Sequence, residues 1–150
     1  MSLKLKKTKQ FDMSSISKTM SHCEHVLQDE AELTCGIATF AYVCSIPGKT
    51  DEEKILNAEQ YLKAIDCVQK DRRVNCEQMK RALNHFFGLE RGLVTSLERV
   101  AQKAVMYLKV DDEMFHWVTK EGDLIRDSYD REPYHISQLR HSFSRAYNLD

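Results

Sequence analysis

Apolar residues along this chain recur first at helical spacing and later at strand spacing. From about Cys35 to Ser45, Ile37, Phe40, Ala41 and Cys44 return every three or four residues. That spacing predicts a helix, with Thr34 as its N-cap and Pro47-Gly48 as its stop. In TDEEKILNAEQYLKAIDCVQK, Thr50 can cap, acids fill the first turn, and Ile55, Leu62, Ile65 and Val68 make one apolar face. A third helix is predicted in NCEQMKRALNHFFG, where Asn75 and Gln78 have capping-box spacing and Gly88 is a natural terminator. SLERVAQ suits one short helical turn more.

The pattern then changes. KAVMYLKV is apolar and short, as a buried strand would be, and MFHWVTKEGDLIRDSY reads as two strands around a tight turn. HISQLRHSFSRAYNL returns to helical spacing through Ile136, Leu139, Phe143 and Tyr147 and predicts a C-terminal helix. Helices followed by strands joined in sequence argue for α+β: N-terminal helices packed on a small antiparallel sheet. Residues 1–26 are polar and weakly periodic, a poorly defined N-terminal segment; 27–150 reads as one domain. No internal repeat or Pro/Gly linker divides it.

The hairpin carries a register. With Glu121-Gly122 as a two-residue loop, Lys120 faces Asp123, Thr119 faces Leu124, Val118 faces Ile125, Trp117 faces Arg126 and His116 faces Asp127. Opposed residues share a face with Cβ atoms about 5 Å apart. An Asp there can accept a hydrogen bond from one imidazole nitrogen, setting the tautomer and holding the ring. Asp123 and Asp130 are competing carboxylates. A slip of one residue would send ring and carboxylate to opposite faces.

Composition narrows the classes. At 150 residues the chain suits a single core, with 42% hydrophobic and 30% charged residues. A net charge of −1 gives no global pull towards nucleic acid or an anionic membrane, and the only basic run is Lys4, Lys6, Lys7 and Lys9. No stretch has a membrane span's apolar length or a signal peptide's apolar core. Five scattered cysteines with no C-x-x-C pair argue against a disulfide framework and for a reducing compartment, the cytoplasm or export without a cleaved signal. His22, Cys23 and His25 in SHCEH lack the second pair that structural zinc requires.

One combination remains. Cys35 stands where an acidic loop becomes an apolar helix, and His116 with Asp127 follows far along the chain. A thiol, a base and an orienting carboxylate are three roles of nucleophilic catalysis. A helix N-terminus and a nearby imidazolium both favour the thiolate. The cysteine's own N–H at the helix start can donate to an oxyanion, and Gln28 is the obvious second donor. Read alone, Cys35 is equally a small buried hydrophobe, His116 a satisfied core histidine, Asp127 a turn cap, Gln28 a solvated amide and Trp117 packing.

LTCGIATFAYV followed by MFHWVTKEGDLIRDSY resembles the papain-like cysteine peptidase superfamily. It is most similar to the compact bacterial branch related to bacteriocin-leader-processing peptidase domains. The stretch VNCEQMKRALNHFFGL…SLERVAQKAVMYLKV resembles that branch's helix, helix, buried-strand succession. The resemblance implies Cys35 as nucleophile, His116 as general base and acid, Asp127 as orienter and Gln28 as oxyanion donor. It also implies acyl transfer on a protein or peptide substrate, with no metal or organic cofactor. Gln28 lies seven residues before the cysteine where the family has six; Thr34 replaces a common Asp, and Ser128 a frequent Pro. A Cys–His–Asp peptidase is the first expectation. A glutamine deamidase-type effector on the same fold, and a non-catalytic interaction domain, are the alternatives.

Overall fold

The computed structural model describes residues 31–88, 90, 92–130 and 132–150, with side chains from Thr34 onward. Among the described residues three helices come first: α1 (Ala31–Val43), α2 (Asp51–Ala64) and α3 (Cys76–Phe87). The strands follow: β1 (Leu93–Val94), β2 (Lys103–Lys109), β3 (Phe115–Glu121), β4 (Leu124–Arg126), β5 (Tyr134–His135) and β6 (Ser142–Asn148). They form one sheet in the order β1-β6-β2-β3-β4-β5, antiparallel throughout. The architecture is α+β, helices first. No helix among the described residues is long and apolar enough to cross a membrane.

The helix signals act as their chemistry dictates. The Thr50 hydroxyl accepts the Glu53 N–H at 3.1 Å, and three acids occupy the first turn of α2. At α3 the capping is reciprocal: Asn75 Oδ1 accepts the Gln78 N–H at 2.8 Å, and Gln78 Oε1 accepts the Asn75 N–H at 3.0 Å. Gly88, at φ 72°, closes α3 in the left-handed conformation that glycine adopts without strain. Helix α1 departs from expectation. It is already helical at Ala31, the first described residue, so Thr34 is a buried residue inside the helix and not the cap. Ala31, Glu32 and Leu33 are good helix formers, and nothing in that run stops the ladder from starting early.

The predicted C-terminal helix is a strand. β6 lies between β1 and β2, and a bulge interrupts its pairing: Tyr107 faces Arg145 but Leu108 faces Phe143, so Ser144 is the extra residue. The bulge brings Phe143 and Ala146, three residues apart, to the same apolar cluster. Ile136 lies in a 3-10 turn (Ile136–Gln138) and Leu139 just after it, and both pack on that cluster. A bulged strand preceded by a 3-10 turn thus reproduces helical spacing.

The sheet is apolar on both faces. Val105, Trp117 and Tyr147 meet the three helices on one face; Met106, Leu108, Val118, Ile125 and Ala146 form the second cluster on the other. Helix α1 is buried nearly all round, Ile37, Ala38, Phe40, Ala41 and Tyr42 included, as a helix central to a core must be. Its contact with β3 positions everything that follows. The β4 ladder covers only Thr119–Glu121, and the Trp117 carbonyl before it accepts the Thr39 hydroxyl at 3.4 Å. Trp117 also donates its indole N–H to the Val74 carbonyl at 2.8 Å. Gly36 makes this packing possible. A Cβ there would stand 2.9 Å from Val74 Cβ and 3.0 Å from Trp117 Cδ1, inside van der Waals contact.

Two opposing terms decide the effect of Gly36→Ala. Alanine gains about 0.5–1 kcal/mol of helix propensity, and overpacking costs about 1–3 kcal/mol. The clash falls on buried partners held by a hydrogen bond, so overpacking wins. The expected outcome is a net loss of about 1 kcal/mol, read as a lower denaturant midpoint at unchanged m-value.

Candidate functional site: a buried Cys–His–Asp cluster

The hairpin forms around a different pair of residues. Glu121 pairs with Leu124, so the loop is Gly122-Asp123, with Gly122 at φ 61° in the first loop position. Glu121 stays in the strand because its carboxylate is engaged. It accepts the Tyr42 hydroxyl at 2.6 Å and Arg126 Nε at 3.0 Å. Pairing therefore shifts by two residues: Thr119 faces Arg126 and Lys120 faces Ile125. The predicted His116/Asp127 opposition does not form. Continued along the observed register, His116 comes level with Tyr129 and Asp127 with Val118. A shift of two keeps every side chain on its face, where a shift of one would not.

Asp127 consequently reaches the ring on the diagonal. β4 ends at Arg126, and the chain turns at once, the Asp127 carbonyl accepting the Asp130 N–H at 2.9 Å. One carboxylate oxygen of Asp127, Oδ1, accepts the Tyr129 N–H at 2.9 Å and also meets His116 Nε2 at 2.8 Å. His116 is 3% exposed and Asp127 4%. Burial alone would push the imidazole towards its neutral form. The hydrogen bond to Asp127 and the contact with the Cys35 thiol outweigh that cost and raise the ring from 6.5 to about 10. Nε2 is committed to the carboxylate, while Nδ1 is buried and makes no hydrogen bond.

Cys35, 3% exposed, comes from α1, in the stretch that Gly36 lets approach Trp117. With α1 starting at Ala31, the Cys35 N–H is fifth in the helix, inside the i→i−4 ladder and not among the open N–H groups of the first turn. That corrects the expectation that it points to an oxyanion. Gln28 lies outside the described residues, as do His22, Cys23 and His25. The competing carboxylates are otherwise placed: Asp123 is in the hairpin loop, and Asp130 pairs with Arg140. Among the described residues, no group of three His, Cys, Asp or Glu side chains is placed to hold a metal ion.

The thiol lines a cleft of about 160 Å³, with Gly36, Val74, Tyr107, Met114 and Trp117 around it and Arg73 and Glu113 also on its wall. Its aromatic side is ordered. The Tyr107 and Phe115 rings stack at 4.8 Å with 5° between planes, and Tyr107 lies 4.3 Å from Trp117 between centroids. Burial, with Cys76 and Cys35 adding in the same direction, pushes the Tyr107 hydroxyl up to about 12, and Arg145 and Arg73 act against it. Sequence reading missed Tyr107 and Val74 as cleft residues and Tyr129 as a neighbour of the ring. None carries a signal of its own until the register is known.

Comparisons with protein-family models, with curated proteins and with solved structures find no match for the chain. What defines it is therefore an α+β fold in which a helix thiol, a strand imidazole and a turn carboxylate converge.

The raised His116 pKa makes stability pH-dependent. The folded protein holds this proton more tightly than the unfolded chain does. Its contribution is full below about pH 6.5 and is lost as pH rises towards about 10. From pH 9 upward Cys76, raised by burial from 9.0 to about 11, adds a loss of the same sign. The thermal midpoint is expected to fall between pH 6.5 and 9, and Asp127→Asn to flatten that fall. Parallel curves for the two proteins would contradict the assignment.

Proposed function

We propose that the chain is a papain-like thiol hydrolase acting on peptide bonds, with Cys35 as nucleophile, His116 as base and acid, and Asp127 as orienter. The observation that supports this reading is the buried His116 Nε2–Asp127 Oδ1 contact, with the Cys35 thiol among the groups that favour the protonated ring; Nδ1, which makes no other hydrogen bond, is assigned to sulfur. That division of the two nitrogens is what a thiol–imidazole couple requires. Chance packing of a buried histidine has no need of a thiol on one nitrogen and a carboxylate on the other.

The chemistry follows atom by atom. The Cys35 proton passes to His116 Nδ1, and sulfur attacks the substrate carbonyl carbon. The tetrahedral intermediate collapses as the carbon–nitrogen bond breaks, and the ring proton goes to the leaving amine. Water then gives a proton to Nδ1 and attacks the thioester; the carbon–sulfur bond breaks, the acid leaves, and the proton returns to sulfur. Throughout, Asp127 holds the ring through Nε2 and fixes its orientation. Gln28 is assigned to the oxyanion on the resemblance alone.

The other cysteines are internal controls. Cys67 is buried, and burial pushes both Cys67 and Cys76 up, Cys76 to about 11. Iodoacetamide is expected to label Cys35 well below the ordinary thiol range of about 8.5, with His116→Gln abolishing the advantage. Labelling of Cys35 no faster than of Cys76 would overturn the proposal. A proteome treated with wild type should show new peptide termini that are absent with Cys35→Ala. Conversion of glutamine to glutamate would instead mark a deamidase, and no change at all a binding module. Gln28→Ala is expected to lower turnover about 10²- to 10³-fold, the cost of one oxyanion donor.

A further inference from the structure

Tyr129 meets the His116–Asp127 pair in two independent ways. Its ring lies parallel to the imidazole, 4.7 Å between centroids and 10° between planes. Its main-chain N–H donates to the same Asp127 oxygen, Oδ1, that meets His116 Nε2. The short turn closed by the Asp130 N–H on the Asp127 carbonyl fixes both contacts at once. The ring is thereby covered on one face, and the carboxylate is held from the main chain.

From this arrangement we infer that Tyr129 is a positioning residue for the hydrolase proposed above, its aromatic face stabilising the His116 imidazolium and so poising the Cys35 thiol. The inference rests on that reading for its catalytic consequence but not for its physical content. An imidazolium carries its charge in the ring plane's π-system, and an aromatic face stacked on it is attractive by the ring quadrupole. The neutral ring gains less. Stacking therefore favours the protonated form, in the same direction as Asp127. The groups facing the ring are Cys35 from α1, Asp127 and Tyr129 from the turn after β4, and His141 before β6, edge-on at 6.4 Å and 84°. Of these, Tyr129 acts without charge. The effect is assigned to the aromatic face, which phenylalanine also supplies.

Three proteins test this: wild type, Tyr129→Phe and Tyr129→Leu. The main-chain N–H to Asp127 is present in all of them, so only the aromatic face changes. The first readout is the His116 ring titration by imidazole nitrogen NMR. The second is the pH profile of Cys35 alkylation by iodoacetamide. Tyr129→Leu is expected to lower the ring pKa by about half to one unit and to slow Cys35 alkylation at neutral pH about three- to tenfold. Tyr129→Phe should match wild type in both. A residue that served only packing would change the thermal midpoint and leave the ring titration in place. Tyr129→Leu with a wild-type ring titration overturns the inference, as does Tyr129→Phe behaving like Tyr129→Leu. The two readings fail separately. If Cys35 of wild type proves no more reactive than Cys76, the hydrolase is wrong, yet the ring titrations still decide whether Tyr129 sets the charge on His116.

Discussion

The hydrogen bond from the Trp117 indole to the Val74 carbonyl holds together three parts of the chain that sequence keeps apart. Trp117 belongs to β3, Val74 to the segment that leads into α3, and both press on Gly36 of α1. The Trp117 carbonyl meanwhile binds Thr39 of the same helix. A buried indole N–H must find an acceptor, and Val74 supplies one that is itself buried. The side chain next to Trp117 in sequence is His116, on the opposite face of the strand by simple alternation. Fixing the indole therefore fixes the imidazole too, and fixing α1 against the indole brings Cys35 within reach of it. The thiol's place follows from the packing of α1 on these neighbours.

A buried ring charge next to a buried carboxylate is costly to assemble, and the structure meets that cost with local partners. Asp127 does not rely on His116 alone; the Tyr129 N–H shares its oxygen, and the turn that presents this N–H is closed by Asp130. Asp130 is tied in turn to Arg140, whose guanidinium also lies 4.3 Å over the Tyr134 ring. The carboxylate thus sits in a turn braced by ionic and aromatic contacts, so its position is set by the fold itself. Ser128, between Asp127 and Tyr129, is fully buried, which leaves the turn little room to move.

Legibility varied with the range of the interaction. Thr50, the Asn75–Gln78 box and Gly88 act within one helical turn, and the sequence shows them plainly because their partners are three or four residues away. The hairpin was half legible. Glycine marked the turn, but which side of it the loop occupied depended on Glu121 being held by Tyr42 and Arg126, contacts that cross the fold. The error was an even number of residues, so His116 and Asp127 kept a common face although they are not opposed. The C-terminal strand was illegible for a definite reason. An extra residue at Ser144 breaks the alternation by which a strand is recognised and leaves intervals of three and four. Helix α1 already includes Ala31, and the apolar spacing from Cys35 onward does not register that extension.

The division between framework and rim has an evolutionary corollary. Thiol and imidazole stand on a helix and a strand, and the carboxylate on a turn braced by its own contacts. Much of the wall beside the thiol comes instead from connections: Gln69, Arg73 and Val74 before α3, Glu113 and Met114 between β2 and β3. Connections tolerate substitution and changes of length far better than the elements they join. Exchange of those two segments would reshape the cleft wall while the thiol, the ring and the carboxylate kept their spacing. Diversity among its kin should accordingly concentrate at the lip and thin out towards the indole.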